Sequence, residues 1–449
     1  MLENTPNSSP KPSFFDKYST TFKAFFIFFL LIMLMIPKQM VTDLIYERET
    51  YKNEVMTEVS SKWGDAQTVS GPIVSIPYLE FFRDSPEAEF QRVIKFAHFL
   101  PEELKINGEL SPEKRSRSIY EIVVYNSKIQ LEGYFEPFDV AALGIPKENI
   151  LWNYASCSLG LDDLRGIEEK VIMDWGAQKI SFNPGLEQND VLMNGISAKI
   201  PVKTFTTAVA DRYNFKLEII LKGSDRLYFT PIGTTTNVSM KSTWPTPHFD
   251  GAFLPDTREI SESGFLANWK ILNLNRNIPQ NWLGNSNIQL NNSAFGVDLM
   301  LAMNNYKQSH RSIKYSFILI SLTFALYFFI EMLNKRRIHP FHYILVGFAL
   351  CLYYTLLVSM SEHFRFFIAY FIASVMTVGL VTWYSYSILN DKRLASLIGS
   401  VLGLLYAFIF VIIRLEDYAL LVGSIGLFVA LAVVMHFARK VDWYDLAKQ

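Results

Sequence analysis

Residues Ala24–Ile36 read AFFIFFLLIMLMI, an apolar run without a single charge. As a helix it covers about 20 Å, which is short for a bilayer and resembles the core of a secretory leader. A leader would be followed by small residues at a cleavage site. Here Pro37-Lys38-Gln39-Met40-Val41 follows instead. The run therefore reads as an uncleaved signal anchor whose helix spans Phe22 to Met40. The polar, helix-favouring stretch Asp43–Trp63 predicts that the helix continues beyond the membrane.

Five more apolar segments lie near the other end of the chain, at Lys314–Leu333, Phe341–Met360, Phe366–Ile388, Leu394–Ile413 and Tyr418–Phe437. Each approximates the ~20 residues that a span requires. Short loops between them predict antiparallel neighbours. No internal repeat of the inverted-transporter kind is visible. Half of the residues are hydrophobic and only 19% are charged, below the roughly one quarter of soluble domains.

Between the first and second span the composition changes. Residues 68–304 hold no run long enough to cross a bilayer. They alternate instead: Phe215, Leu217, Ile219 and Leu221 are interleaved with Lys216, Glu218 and Lys222, apart from Ile220, and Ile129 and Leu131 with Lys128, Gln130 and Glu132. This is the period of half-buried strands. Ile73–Phe82, Gln91–Leu100, Ile119–Tyr125, Val171–Trp175 and Asn237–Thr243 read the same way. Asn107-Gly108, Asn183-Pro184-Gly185 and Asn194-Gly195 supply turns. Trp244–Ser293, rich in Pro, Asn and Trp, reads as largely loop.

The fold class is thus an α + β membrane protein with six transmembrane helices. One is N-terminal and five form a C-terminal bundle. A large, mostly antiparallel β-rich domain, with a sandwich as one arrangement, is inserted between helices 1 and 2. The segments are a cytoplasmic tail 1–21, a first span 22–40, a periplasmic domain 41–312, a bundle 313–437 and a cytoplasmic tail 438–449. Basic residues set the orientation. Lys11, Lys17, Lys23, Lys335, Arg336, Arg337, Lys392, Arg393, Arg439, Lys440 and Lys448 fall on one side, and only Arg365 and Arg414 in the short loops of the other; Lys38, Arg48, Arg311 and Lys314, flanking the large domain, soften this contrast without reversing it. Both termini are therefore expected inside.

Segment 41–312 carries more acidic than basic residues, which argues against a nucleic-acid partner. Cys157 and Cys351 lie in different segments and are not expected to pair. Two cysteines exclude a four-thiolate zinc site. No Walker loop, His-Glu-x-x-His, Gly-x-Ser-x-Gly or dinucleotide fingerprint is present, so neither an enzyme nor a cofactor is indicated.

The least ordinary stretch is Trp244-Pro245-Thr246-Pro247-His248-Phe249-Asp250-Gly251-Ala252-Phe253-Leu254-Pro255, followed by Ser261-Glu262-Ser263-Gly264-Phe265 and Trp269. Three prolines fix the backbone, which predicts a rigid, extended, aromatic-studded loop. Trp244, Pro245, Pro247, Phe249, Gly251, Phe253, Pro255, Ser261, Ser263, Gly264, Phe265 and Trp269 are the candidate partner-binding residues. The competing reading is a proline-braced loop whose aromatics complete the core. His248, Asp250 and Asp256 are weak candidates for a metal site, and none is assigned. Glu362 and His363, beyond the third span, are the candidate membrane polar site, with an interfacial loop as the alternative. Glu331 reads as an interfacial partner of Lys335 or Arg336.

These residues resemble the CreD inner-membrane proteins. The central signature is Trp244-Pro245-x-Pro247-x-Phe249-x-Gly251-x-Phe253-Leu254-Pro255, with Arg258-Glu259, Ser261–Phe265 and Trp269. Gly71-Pro72-Ile73, Ile76-Pro77, Arg165-Gly166-Ile167 and Gly185-Leu186-Glu187-Gln188 are similar too. So are His339-Pro340-x-x-Tyr343-x-Leu345-Val346-Gly347, Ser361-Glu362-His363 and Asp442-Trp443-Tyr444. The resemblance implies a Gram-negative inner-membrane protein linked to envelope integrity and controlled by a two-component sensor–regulator pair. Its expression would affect tolerance to colicins and β-lactams. It carries over no catalytic residue. The partners it implies are the lipid bilayer and a periplasmic or envelope protein. A transporter through the bundle, or a hydrolase of envelope polymers using His248, Asp250 and Ser263, are the alternatives.

Overall fold

The computed structural model describes residues 19–83, 91–201, 212–284, 288–299, 305–334, 338–415 and 418–440. The basic turn Lys335–Arg337, the acidic pair Glu416-Asp417, the Asp442-Trp443-Tyr444 motif and most of both tails lie outside them. The chain divides into two units, 1–51 with 303–449 and 52–302.

Helices α1 (Ser19–Met33) and α2 (Met35–Trp63) carry the first span. The break at Leu34 follows from Pro37, which has no N–H to offer the Met33 carbonyl. The ladder resumes where the Lys38 N–H donates to Leu34 at 3.2 Å. As the polar stretch predicts, α2 runs on unbroken to Trp63, with Lys62 and Glu58 paired four residues apart at 2.7 Å.

After a short α3 (Asn305–Lys314) come α4 (Ser316–Leu333), α5 (Pro340–Ser361), α6 (Phe366–Leu389), α7 (Lys392–Arg414) and α8 (Ala419–Ala438). With the first span, six helices among the described residues are long and apolar enough to cross a membrane. Their ends are written locally. His339 caps α5 and Pro340 fills its first turn. Asn390 closes α6 in the left-handed region (φ 49°), and the carboxylate of Asp391 accepts the Arg393 and Leu394 N–H groups that open α7. Helix α8 is apolar all round and buries none of its residues, as suits a helix facing lipid.

The second unit is built from two sheets that share one core. Sheet one has nine strands. Its main path runs His248–Gly251, Phe295–Asp298, Arg226–Phe229, Gln67–Phe82, Ser156–Leu161, Gly195–Lys199 and Asn183–Pro184, and Gln91–Phe99 pairs with the far half of Gln67–Phe82. Sheet two has eight strands in the order Thr257–Ser261, Gly264–Leu272, Thr235–Ser242, Glu103–Arg117, Tyr120–Phe135, Tyr213–Ser224, Ile172–Trp175 and Gln178–Ser181. All pairings are antiparallel except Gln67–Phe82 with Arg226–Phe229 and Glu103–Arg117 with Thr235–Ser242. Phe215, Leu217, Ile219 and Leu221 point inward and Lys216 and Glu218 outward, as the alternation predicts. Cys157 and Cys351 are buried and unpaired.

Trp244–Ser293 departs from the expected loop. It contributes strands His248–Gly251, Thr257–Ser261, Gly264–Leu272 and Asn281–Leu283. Its Pro and Asn content masks a clear alternation, with Phe265, Ala267, Trp269 and Ile271 inward and Leu266 and Lys270 outward.

Sheet one also buries a polar row. Trp282, His98, Ser75 and Ser156 are successive register partners on neighbouring strands, and the row ends at the exposed Lys199. His98 and Ser75 are fully buried, with the Ser75 hydroxyl 3.0 Å from His98 Nδ1. Gln188 Nε2 donates to Ser75 Oγ at 2.6 Å, so the Gly185–Gln188 motif covers the row. Burial pushes the His98 imidazole down to about 4, which keeps it neutral at pH 7. The unfolded chain binds a proton here below pH ~6.5 and the folded one only near 4, so stability falls with pH across that window. Acidification from pH 7 to 4 is expected to cost the β unit about 3 kcal/mol from this group alone. His98→Gln should flatten that part of the profile. Thermal unfolding by tryptophan fluorescence at a series of pH values tests this, and an unchanged slope in the variant contradicts it.

Candidate functional site

The Trp244–Trp269 stretch is a strap between the two sheets. It leaves Thr235–Ser242 in sheet two, enters sheet one at His248–Gly251 and returns to sheet two at Thr257–Ser261. Pro245, Pro247 and Pro255 occupy the connections, where no ladder donor is needed. Gly251 (φ 100°) and Gly264 (φ 135°) turn the chain so tightly that a Cβ would lie 2.4 Å from the Ala294 carbonyl oxygen and 2.0 Å from that of Ser242.

The expected display of aromatics is not what the strap builds. Trp244, Phe249, Phe265 and Trp269 are buried in the shared core, and Phe253 packs against it. Phe249 meets Phe265 at 5.5 Å and Trp269 at 5.7 Å, and Trp269 meets Phe295 at 5.6 Å. The indole N–H groups donate to carbonyls of the strap itself, Trp244 to Thr246 and Trp269 to Phe253. Burying an aromatic of this size is worth more than displaying it. Pro245, Gly251, Ser261 and Ser263 are exposed, Pro247 and Pro255 are half-buried, and Gly264 is buried. Ser261 and Ser263 hydroxyls lie 2.8 Å apart at a hairpin tip. Leu254, at 67% exposure, is the most exposed of the large apolar side chains in the strap.

The three weak metal candidates separate. Asp256 accepts the Lys270 backbone N–H at 2.7 Å and stands apart. His248 and Asp250 are joined instead by Asp298, from the neighbouring strand. Nothing in the local sequence pointed to Asp298, because only strand register brings it there.

In the helical unit, Glu362 and His363 have different surroundings. The Glu362 carboxylate is nearly buried, accepts the Tyr306 hydroxyl at 2.9 Å and lies 3.8 Å from Arg48 Nε. His363 is exposed, with Nδ1 3.2 Å from the Ser359 carbonyl oxygen. Nearby on the same helices, His310 Nε2 is 3.3 Å from Glu49, and its ring meets that of Tyr46 at 4.4 Å in a tilted arrangement. Arg48, Glu49, Tyr306 and His310 were invisible as a group because they lie over 250 residues apart.

Glu331 is also not a surface residue. It is 4% exposed and binds Lys23 of α1, the Tyr343 hydroxyl at 3.1 Å and the Ile338 N–H at 3.1 Å. Lys23 Nζ donates in addition to the Ile338 carbonyl at 2.6 Å. A carboxylate among apolar helices requires such a set of donors and a countercharge. Removing one member leaves the other charge buried and alone. Lys23→Met is therefore expected to destabilise the helical unit by about 3–5 kcal/mol. Adding Glu331→Gln should restore much of the loss. Unfolding midpoints in detergent for both single variants and the double variant test the coupling, and strictly additive losses contradict it.

Comparison with known proteins agrees with this architecture. A family model described as "Inner membrane protein CreD" matches residues 19–444. The chain is 31% identical over 425 residues to the Inner membrane protein CreD of Escherichia coli (strain K12), covering 93% of this chain and 92% of that one. The six apolar helices, the β unit set between the first and second of them, and a match across nearly the whole length lead to one assignment: the chain belongs to the CreD family of multi-pass inner membrane proteins.

Proposed function

We propose that this protein supports cell-envelope integrity from the inner membrane. Its β unit lies in the periplasm and acts by binding or scaffolding an envelope component rather than by catalysis. The observation that carries this is the β unit itself: a stretch of some 250 residues with its own extensive core, set between two spans, and therefore on one side of the bilayer. The distribution of charge supports the side. Among the described residues, Lys23, Lys392, Arg393, Arg439 and Lys440 fall at one set of helix ends, and Arg365 and Arg414 in the short connections at the other, where Arg311 and Lys314 also precede α4. Both termini are then cytoplasmic. The exposed edge of the strap, with Leu254, Arg258, Ile260 and Ser261, is the proposed contact surface.

Alkaline phosphatase fused after Thr68 should be active, and a fluorescent protein fused to the C-terminus should fluoresce. A silent phosphatase at Thr68 would overturn the topology. In cells lacking the native protein, Leu254→Asp with Ile260→Asp should insert at normal levels yet fail to restore tolerance to envelope-directed agents. Full restoration by that double variant would remove the strap from the contact surface.

A further inference from the structure

We propose that His248, Asp250 and Asp298 form a divalent-cation site on the β unit, suited to zinc or manganese, with Tyr228 orienting its carboxylates. The geometry comes from strand register. His248 and Asp250 are two residues apart on one strand and so share a face, while Phe249 between them points into the core. His248 is in register with Asp298 on the next strand, and Asp298 with Arg226 on the strand beyond. One step along, Asp250 and Tyr228 are both in register with Gly296. The missing side chain at Gly296 leaves room for the Tyr228 ring, against which a Cβ would sit at 2.8 Å. Across that gap the Tyr228 hydroxyl donates to Asp250 Oδ2 at 3.2 Å.

The ligand atoms of the trio lie within 4.8 Å of one another. His248 Nδ1 and Asp298 Oδ2 are 3.5 Å apart, close to the ~3.4 Å edge of a tetrahedron around zinc with ~2.1 Å bonds. The other Asp298 oxygen, Oδ1, is shielded from solvent and has no hydrogen-bond partner among the described residues, an arrangement that costs free energy unless something positive is held there. Asp225 lies beside Asp298, with Arg226 and Lys52 as the cations that face it. One imidazole and two carboxylates select a borderline metal over calcium or magnesium, which prefer all-oxygen sets. Three protein ligands leave a further position open to water or to a ligand.

Full-length protein in detergent, stripped with a chelator, is titrated with zinc chloride and separately with manganese chloride by calorimetry. The expected result is saturable binding of one ion per chain, accompanied by a rise in the unfolding midpoint. His248→Ala and Asp298→Asn should abolish it, Tyr228→Phe should weaken it by about tenfold, and Asp256→Asn should leave it unchanged. Asp250→Asn, at an exposed position, provides a ligand variant that keeps the fold if Asp298→Asn does not. An absence of stoichiometric binding would overturn the proposal and leave a His248–Asp298 ion pair only. Binding that survives intact in both His248→Ala and Asp250→Asn would overturn it equally.

Discussion

The N-terminal helix is held to the bundle by charge at both ends. Lys23 meets Glu331 at the end of α4, and Arg48 approaches Glu362 at the end of α5. Twenty-five residues of helix separate the two cations, about 37 Å at 1.5 Å per residue. The hydrocarbon layer is about 30 Å thick, so the two pairs fall at its two edges. Apolar contact gives helices little reason to associate within lipid, and polar pairs at defined positions supply what hydrophobicity does not. The ends are unequal. Glu331 is buried with a full set of donors, whereas Arg48 is 47% exposed and 3.8 Å from its partner, so that pair is weak. At the second end the Tyr306 hydroxyl makes the closer contact with Glu362. The first span is thus fixed by the buried Lys23 pair at one end and, at the other, by Arg48 together with the contacts of Glu49 and Tyr46 to His310.

The β unit meets the opposite problem, because water is available and burial is the driving force. Its aromatics go inward wherever a strand allows. Phe135, Trp175 and Phe215 cluster at one place and Phe249, Phe265, Trp269 and Phe295 at another. The second cluster is supplied largely by the strap, so the proline-rich run closes the core between the sheets. Gly251 and Gly264 permit the two turns that this crossing needs.

How much of this was legible follows from the range of each signal. Spans and strands are local: a 13-residue apolar run or the alternation from Phe215 to Leu221 carries its own reading. Trp244–Ser293 misled because composition spoke for loop while the alternation Phe265-Ala267-Trp269-Ile271 spoke for strand, and burial follows alternation. The sites were less legible. His248 and Asp250 stood out, but Asp298 joins them only through register, and Asp256 was drawn away by a backbone N–H. Glu331 looked like a partner for nearby Lys335 or Arg336. The described partner, Lys23, is 308 residues away, beyond any local pattern. The buried pair His98 and Ser75 had no signature at all, since neither residue type announces burial.

The strap reconciles two readings that seemed exclusive. A rigid aromatic run suggested either a surface or a core, and the pleat assigns both to alternate residues. Anchoring the Phe249 ring in the core fixes the strand, and a fixed strand must present His248 and Asp250 on the other side. Pairing with Phe295–Asp298, whose Phe295 and Val297 are themselves buried, then sets where Asp298 stands. Core packing and the polar patch therefore draw on the same strands. Ligands held this way keep their spacing without a loop having to order around them, which favours pre-organised capture of an ion over induced fit. A substitution that loosens Phe249 would disturb the patch although it touches none of its polar atoms.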